Sequence, residues 1–553
     1  MEFLKAILAL FLAFFSAFNV FDGPNHVSRP PSTKNFEYLE YPAEAVKSPG
    51  EAGLKLSEFL SRADDDGDEL YVNAQGYQDI CGIIESPYFK VFVEGKSIPV
   101  YGTTVFVGET QKGALHSFCE IYIDTTQYEF VEFQLTAKDF FIDALNIFPS
   151  TAKMETIFEG STVNMRITDI GTYTFVFNEN DQEHGFTLFV KELVDEEAEI
   201  AELERQYGID HVVVVEKGLH KSPCYNFFGT NNTVYYLKRG AYLLAEHKYD
   251  INSEADDMQD TSKQDTAEMN AGQLPLGLTR IPFLNFNVCN NVKLLGNGVI
   301  DLSQLDRRER RGIVFAYSNN IEIDGIKIIN SPEWSFITYD CENVTIKNVD
   351  IFGYRQNSDA FAICNTRNAT IDNSFCRSGD DLFDVKAAGG RAEAISKNIT
   401  FSNCTAWNGK ARCFGICGEV EKDIQDVTFR DSTVIFHDAT WDLNRIPAIA
   451  IVVENQGGSI SNVTFENMEI YKAHGRAIGC LIYNSAIENF NISDVVYKNI
   501  TYNSAQPNKI ASNGKTTNKI SATFENVYGN GSKLTSLDSK NFEYDQYATI
   551  TVK

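Results

Sequence analysis

The sequence predicts an all-β protein, a parallel β-helix solenoid preceded by an N-terminal β-sandwich. Three observations carry this. A unit of Asn or Asp, apolar, any, apolar, any, polar, apolar begins at Asn320, Asn343, Asn368, Asn398, Asp426 and Asn462, at spacings of 23, 25, 30, 28 and 36 residues. Upstream of it, short runs alternate apolar and polar residues between Gly, Asn and Asp breaks. With 43% hydrophobic and 12% aromatic residues the chain can fill large cores, which excludes a disordered polyelectrolyte.

The elements follow in order. After Met1-Glu2-Phe3-Leu4-Lys5, an apolar run extends from Ala6 to about Phe18. Roughly 13 apolar residues are too few to span a bilayer and suit a signal peptide. Residues 1–18 are therefore expected to be cleaved, giving a secreted protein with no membrane attachment after cleavage; an uncleaved anchor is the alternative. Residues 19–70 read as an extended linker. Its acidic cluster Asp64-Asp65-Asp66-Gly67-Asp68 lacks the downstream Glu of a calcium loop and reads as solvated. Residues 71–193 form the sandwich, with strands at 88–93, 130–135 and 172–177, the last two strictly alternating. An acidic linker helix occupies 194–215, and 216–553 is the β-helix, with a polar surface insertion at 252–270.

Two short alternating strands per repeat, joined by a polar turn, specify coils that each add a layer of Ile, Val and Phe to one internal stack. The asparagines bond the backbone at the bends and ladder from coil to coil. Leucine-rich repeats share the period, but their consensus is absent. Many of the repeat asparagines also form N-x-S/T sequons, including Asn343, Asn368, Asn398 and Asn462. The same pattern reads as glycan acceptor or as turn.

The net charge of −28 (48 basic against 76 acidic residues) excludes a nucleic-acid backbone as main partner. The basic run Arg307, Arg308, Arg310, Arg311, broken by Glu309, reads as a solvated turn. Eleven cysteines are compatible with secretion and leave at least one unpaired. Cys413-x3-Cys417 has no zinc-partner pair and reads as core or disulfide. No nucleotide, flavin or metalloprotease fingerprint is present, so no cofactor and no metal are expected.

The chemistry concentrates in Asn357-Ser358-Asp359 and Gly379-Asp380-Asp381. Asp359 and Asp380 are 21 residues apart, about one coil, so all three carboxylates are expected on one outward face. Like charges that close raise at least one pKa, which keeps a carboxyl protonated as a general acid. The ionised partners then polarise water, as in inverting glycoside hydrolysis with carboxyl groups roughly 6.5–9.5 Å apart. Lys386 is a candidate for bonding a sugar hydroxyl. Trp334, Trp407 and Trp441 are candidate stacking surfaces or core residues, and His437 and His474 read as structural.

Beyond these groups, Gly296-Asn297-Gly298-Val299-Ile300-Asp301 and Asn330-Ser331-Pro332-x-Trp334 join the two Asp motifs in a recognisable set. The segment 285–500 resembles the right-handed β-helix polysaccharide hydrolases of glycoside hydrolase family 28, the polygalacturonases, and the related family 49. The resemblance implies a right-handed winding, Asp380 as general acid, and Asp359 and Asp381 activating an inverting water. The family 28 Gly-His-Gly is replaced by 409–418, where Lys410 or Arg412 takes the place of the His; both join Lys386 and Trp334 as substrate-binding candidates. The family's carboxylate-holding Arg-x-Lys is missing from 448–454. With the acidic charge, that loss favours a neutral, dextran-like polysaccharide and a monomeric enzyme. A polygalacturonase, a calcium-dependent lyase and a non-catalytic glycan-binding protein are the alternatives.

Overall fold

The computed structural model describes residues 35–48, 82–108, 112–127, 129–152, 154–246, 282–305, 309–391, 393–439, 442–455 and 457–553. The signal-peptide run, the Asp64 cluster, the 252–270 insertion, Arg307, Arg308 and Trp441 lie outside them. Among the described residues no helix is long and apolar enough to cross a membrane.

The N-terminal part holds a seven-stranded and a five-stranded sheet. The alternation read in the sequence appears directly: Val131–Ala137 buries every second residue, and Thr162–Ile167 pairs with it antiparallel. Leu115, Cys119, Phe133, Met165, Phe175 and Leu188, from both sheets, share one core. Residues 35–48, inside the stretch read as an extended linker, are built into this structure. Phe36–Tyr38 pairs with the strand Lys112–Ile123, and Leu39 and Tyr41 are buried. The partners of Phe36–Tyr38 are Ile121–Ile123, at the C-terminal end of that strand.

The helix Glu196–Tyr207 is capped by Asp195, whose carboxylate accepts from the Glu197 and Ala198 N–H groups. It buries Ile200 and Leu203 against Val234, Tyr236 and Leu295, so it covers the first coils rather than spanning free solvent.

From Val212 onward the chain winds into stacked parallel strands, 22 in one sheet and 11 in the other. The repeat fixes the register. Ile321 pairs with Val344, Val344 with Ala369, Ala369 with Ile399, Ile399 with Val427 and Val427 with Val463. The preceding asparagines, such as Asn343 and Asn368, each take φ of 57°, the left-handed bend that Asn tolerates. Their amides form the expected ladder: Asn368 Nδ2 donates to Asn343 Oδ1 at 3.2 Å and Asn398 Nδ2 to Asn368 Oδ1 at 2.9 Å. The nitrogen a glycan would use is thus already engaged at these sequons. Aromatic rings stack inside, with Phe401, Phe429, Phe465 and Tyr497 in successive coils at 5.0, 4.8 and 5.2 Å.

All ten described cysteines are free, and nine are buried, so they act as small core residues in place of the disulfide option. The solvated reading of the basic run is also corrected at its described end. Arg310 and Arg311 are buried; Arg311 donates to Glu333 at 3.2 Å and stacks on Trp334, 4.7 Å from the ring centre.

The two halves share an interface. Tyr101, Phe118 and Phe189 of the N-terminal sheet pack with Tyr242, Val299, Ile329, Phe352 and Phe375 of the solenoid. Within it, Lys327 of the solenoid pairs with Glu120 of the sheet and with Asp350 at 2.9 Å, all three buried. Burial opposes ionisation of Glu120, but Lys191 and Lys327 outweigh it and bring its pKa down to about 2. Removing Lys327 takes the ion-pair partner from buried Asp350 and leaves Glu120 with Lys191 alone. Lys327→Met is expected to cost on the order of 3–5 kcal/mol in urea denaturation, and adding Glu120→Gln should restore part of it.

Candidate active site

Five turns on one side of the solenoid, bearing Trp334, Asp359, Asp380 with Asp381, Arg412 and Arg445, build the site, each leading into a strand of the 11-stranded sheet. The register Phe361↔Phe383↔Phe414 aligns three of them. It is a 22-residue step from Phe361 to Phe383, so Asp359 stacks over Asp381 and Asp380 is turned outward. Accordingly, the Ala360 N–H donates to the Asp381 carbonyl at 2.8 Å. Asp359 and Asp381 are buried, whereas Asp380 keeps partial exposure.

The carboxylates converge as expected. One oxygen from each of Asp359, Asp380 and Asp381 lies within 4.8 Å of the others. This is closer than the roughly 6.5–9.5 Å anticipated for inversion, because adjacent coils stack only about 4.8 Å apart. Gly379 permits the turn: a Cβ there would lie 2.7 Å from the Tyr354 carbonyl and collide with that of Arg355. Asp380 accepts from the Asn357 N–H at 3.1 Å and the Asp381 N–H at 2.9 Å. Burial, then the charge of Asp381, pushes its pKa up to about 6, against the pull of Arg412. Asp359 is also raised, by burial and then by Asp380.

Two cations offset the repulsion. Arg412 donates its N–H to Asp381 Oδ1 at 2.9 Å and Nη1 to Oδ2 at 3.0 Å. Lys386 Nζ lies 2.7 Å from Asp384, 2.8 Å from Glu419 and 3.8 Å from Asp359. Burial works against its charge, but Asp384, Glu419 and Asp359 raise its pKa well above the usual lysine value. Lys386 also sits 5.1 Å from the centre of the Trp334 ring, which lines the cleft.

The cleft measures about 190 Å³ and is lined by the three aspartates with Trp334, Lys386 and Arg412. Sequence reasoning missed three further members of its wall, Glu419, Arg445 and Glu454. Arg445 grips Glu454 through Nε and Nη2, both at 2.6 Å, and Arg412 reaches the same carboxylate at 2.9 Å. No repeat marked these residues; their only signal was acidic and basic character in coils otherwise written as Ile, Val and Ala.

Lys410 is not brought into this cleft, which corrects its expected role. Its ammonium lies 4.7 Å from the centre of the Phe106 ring on the N-terminal sheet. An electron-rich ring face next to it supplies the attraction. Trp407 is fully buried beneath Arg377, whose guanidinium is 3.8 Å from its ring centre, so it serves packing. His437 is buried, and burial lowers its pKa to about 4; His474 pairs with Asp438.

For a cation, Asp359, Asp380 and Asp381 offer three carboxylate oxygens; Asp381, Asp384 and Cys417 offer two oxygens and a thiol within the same 4.8 Å limit. Lys386 and Arg412 already place positive charge among these atoms. A larger cavity of about 440 Å³ lies at the seam between the N-terminal sheet, the helix and the solenoid, lined by Lys191, Tyr236, Asn297 and Asp324 and by none of the triad.

Comparison with known proteins bears on this site. Residues 296–548 match the family model for glycosyl hydrolases family 28. A polygalacturonase of Cryptomeria japonica is 25% identical over 221 residues, 36% of this chain and 38% of its own. Exopolygalacturonase X-1 of Emericella nidulans is 26% identical over 245 residues, 39% and 54% of the two chains. The chain thus spans about half or less of the length of these relatives. The solved structure of Dex49A from Penicillium minioluteum superposes with a TM-score of 0.55 at 12% identity, covering 84% of this chain and 94% of that one. Residues 296–548, which hold every carboxylate of the cleft, therefore carry the sequence pattern of the family 28 glycosyl hydrolases, on a fold shared with Dex49A.

Proposed function

We propose that the protein hydrolyses the glycosidic bonds of a polygalacturonate-type polysaccharide. The observation that carries the reading is the convergence of Asp359, Asp380 and Asp381 in one cleft, inside the segment that matches family 28. Asp380, partly exposed and raised to about 6, serves as the general acid to the leaving oxygen. Asp359 and Asp381, each beside its own cation, orient and deprotonate the water. Inversion rests on the family resemblance; the carboxylate spacing does not argue for it.

The neutral, dextran-like preference drawn from the missing Arg-x-Lys and the net charge gives way to the polygalacturonate alternative. The named relatives are polygalacturonases. Net charge is a property of the whole surface, whereas the cleft wall places Lys386, Arg412 and Arg445 among its five carboxylates, and these three cations are the groups that a sugar carboxylate would meet. Lys386, Arg412 and Trp334 remain the proposed substrate contacts, and Lys410 is withdrawn.

We read the two N-terminal sheets, which include the strand Phe36–Tyr38, as a β-sandwich domain that ends near residue 193, joined by the helix Glu196–Tyr207 to a right-handed β-helix catalytic domain that begins at Val212. Secretion, after cleavage at about residue 18, fits a polysaccharide substrate too large to enter cells.

A reducing-end assay on polygalacturonate, dextran and neutral pectic glycans tests the reading. Polygalacturonate should be cleaved fastest. Asp380→Asn should lose at least about 100-fold in kcat, the usual contribution of a positioned acid, with binding retained. If Asp380→Asn cleaves as fast as wild type, the assignment fails. Unsaturated product ends would instead identify a lyase.

The pH profile follows from Asp380. A general acid works only while protonated, so the rate should fall as pH rises through about 6. Activity that keeps rising to pH 8 would exclude Asp380 as the proton donor.

A further inference from the structure

The strand Tyr101–Val107 of the N-terminal sheet runs behind the turns that bear the carboxylates. Asn330 Nδ2 donates to Thr103 and Thr104 Oγ1 at 3.0 and 2.9 Å. Asn330 Oδ1 in turn accepts from the Tyr354 N–H at 2.9 Å, and its carbonyl accepts from Arg355 Nη1 at 3.1 Å. Tyr354 and Arg355 are the residues whose carbonyls lie against Gly379, next to Asp380.

The contact closest to the cleft comes just past the end of this strand. Gly108 meets Gly409 backbone to backbone. A Cβ on Gly108 would collide with the Gly409 carbonyl and lie 2.7 Å from Asp438 Cβ; one on Gly409 would lie 2.5 Å from the Gly108 nitrogen and 3.1 Å from Phe106 Cδ1. Neither glycine has a left-handed φ, so close approach, not backbone conformation, is what requires them.

Gly409 belongs to the turn that carries Arg412. Asn408, fully buried, ties this turn together: its Nδ2 donates to the Asp380 and Arg412 carbonyls, both at 2.9 Å, and its Oδ1 accepts from the Lys410 and Ala411 N–H groups at 2.8 and 3.0 Å. Arg412 ends the turn with two bonds to Asp381. A displacement at Gly409 is therefore passed to both aspartates through two hydrogen-bonded residues.

Resting on the hydrolase reading above, we propose that Gly108 is a positioning residue: seated against Gly409, it holds the 408–412 turn, and through it Arg412 and Asp381, in working geometry. The N-terminal sheets are then part of the active site rather than an appended module. Lys410 on Phe106 is the second point of the same contact.

The test uses the full chain with Gly108→Ala, the milder Phe106→Leu, and Gly240→Ala as control. Gly240 makes a comparable contact elsewhere, where a Cβ would lie 2.9 Å from the Glu40 carbonyl at a φ of 83°. Measurements are kcat and KM on polygalacturonate, the thermal midpoint, and hydrogen exchange of the 408–412 turn. Gly108→Ala should lower kcat about 10- to 100-fold, as a misplacement of about 1 Å does, with KM held and exchange in the turn raised. Phe106→Leu should move both in the same direction by less. Gly240→Ala should lower the midpoint only. If Gly108→Ala lowers the midpoint but leaves kcat and the turn's exchange at wild-type values, the proposal is overturned; should that variant not fold, the same result in Phe106→Leu overturns it. If the wild type cleaves no glycan, the hydrolase reading fails by itself. Exchange at 408–412 then still decides Gly108: a rise confined to the two contact variants upholds the interlock, and no rise rejects it.

Discussion

The site depends on the coil-to-coil register of the solenoid. Parallel strands stacked at a fixed spacing allow one residue of each coil to lie over its counterpart in the next. Phe361, Phe383 and Phe414 are such counterparts, and the carboxylates and Arg412 lie within two or three residues before them. The turns thus inherit their alignment from a packed aromatic stack. Left-handed asparagines at the bends keep each coil closing at the same place. A one-residue slip would turn Asp359 away from Asp381 and carry Lys386 from the outer face into the core.

Stacking like charges is unfavourable unless cations arrive in the same rows, and the register supplies them. Cys364 pairs with Lys386, so the lysine comes up one coil beyond the Asp359 turn. Arg412 comes from the following turn, with its backbone N–H and guanidinium both on Asp381. The N-terminal sheets add a second constraint from behind. Their shared apolar interface with the solenoid and the Lys327 ion cluster fix the strand Tyr101–Val107 against the turns. Buried charge of this kind stabilises little by itself, but it tolerates few alternative dockings.

What could be read from the sequence was what repeats. The period exposed the solenoid, its asparagine ladder and the stacking of Asp359 on the Asp pair, because each is a one-dimensional consequence of spacing. Lys386 was readable for the same reason. The misread residues answer to partners far away in sequence. Lys410 was assigned to the cleft, but Phe106, some 300 positions upstream, holds it against the sheet. Arg311 looked solvated by composition, yet Trp334 and Glu333 bury it. Arg445 and Glu454 offered only their charge as a signal: they flank the strand Ile449–Val453 and become part of the wall when Arg412 of the preceding turn reaches Glu454. Net charge was a poor guide: −28 sums the whole chain, whereas the cleft wall sets three cations among five carboxylates.

The same geometry gives the three aspartates unequal parts in the proposed reaction. Asp381 is held by Arg412 at 3.0 Å and Asp359 lies 3.8 Å from Lys386, so each buried carboxylate has a cation beside it. Asp380 meets backbone N–H groups instead and keeps partial exposure to the cleft. Burial raises both Asp359 and Asp380, so the pKa direction alone does not separate them. Access does. A leaving oxygen approaching from the cleft meets Asp380 first, while a proton on Asp359 is enclosed beside Lys386. In the proposed reaction the acid is thus the carboxylate that the 22-residue register leaves out of line with its neighbours, and the offset of one position between Asp380 and Asp381 would divide donor from base.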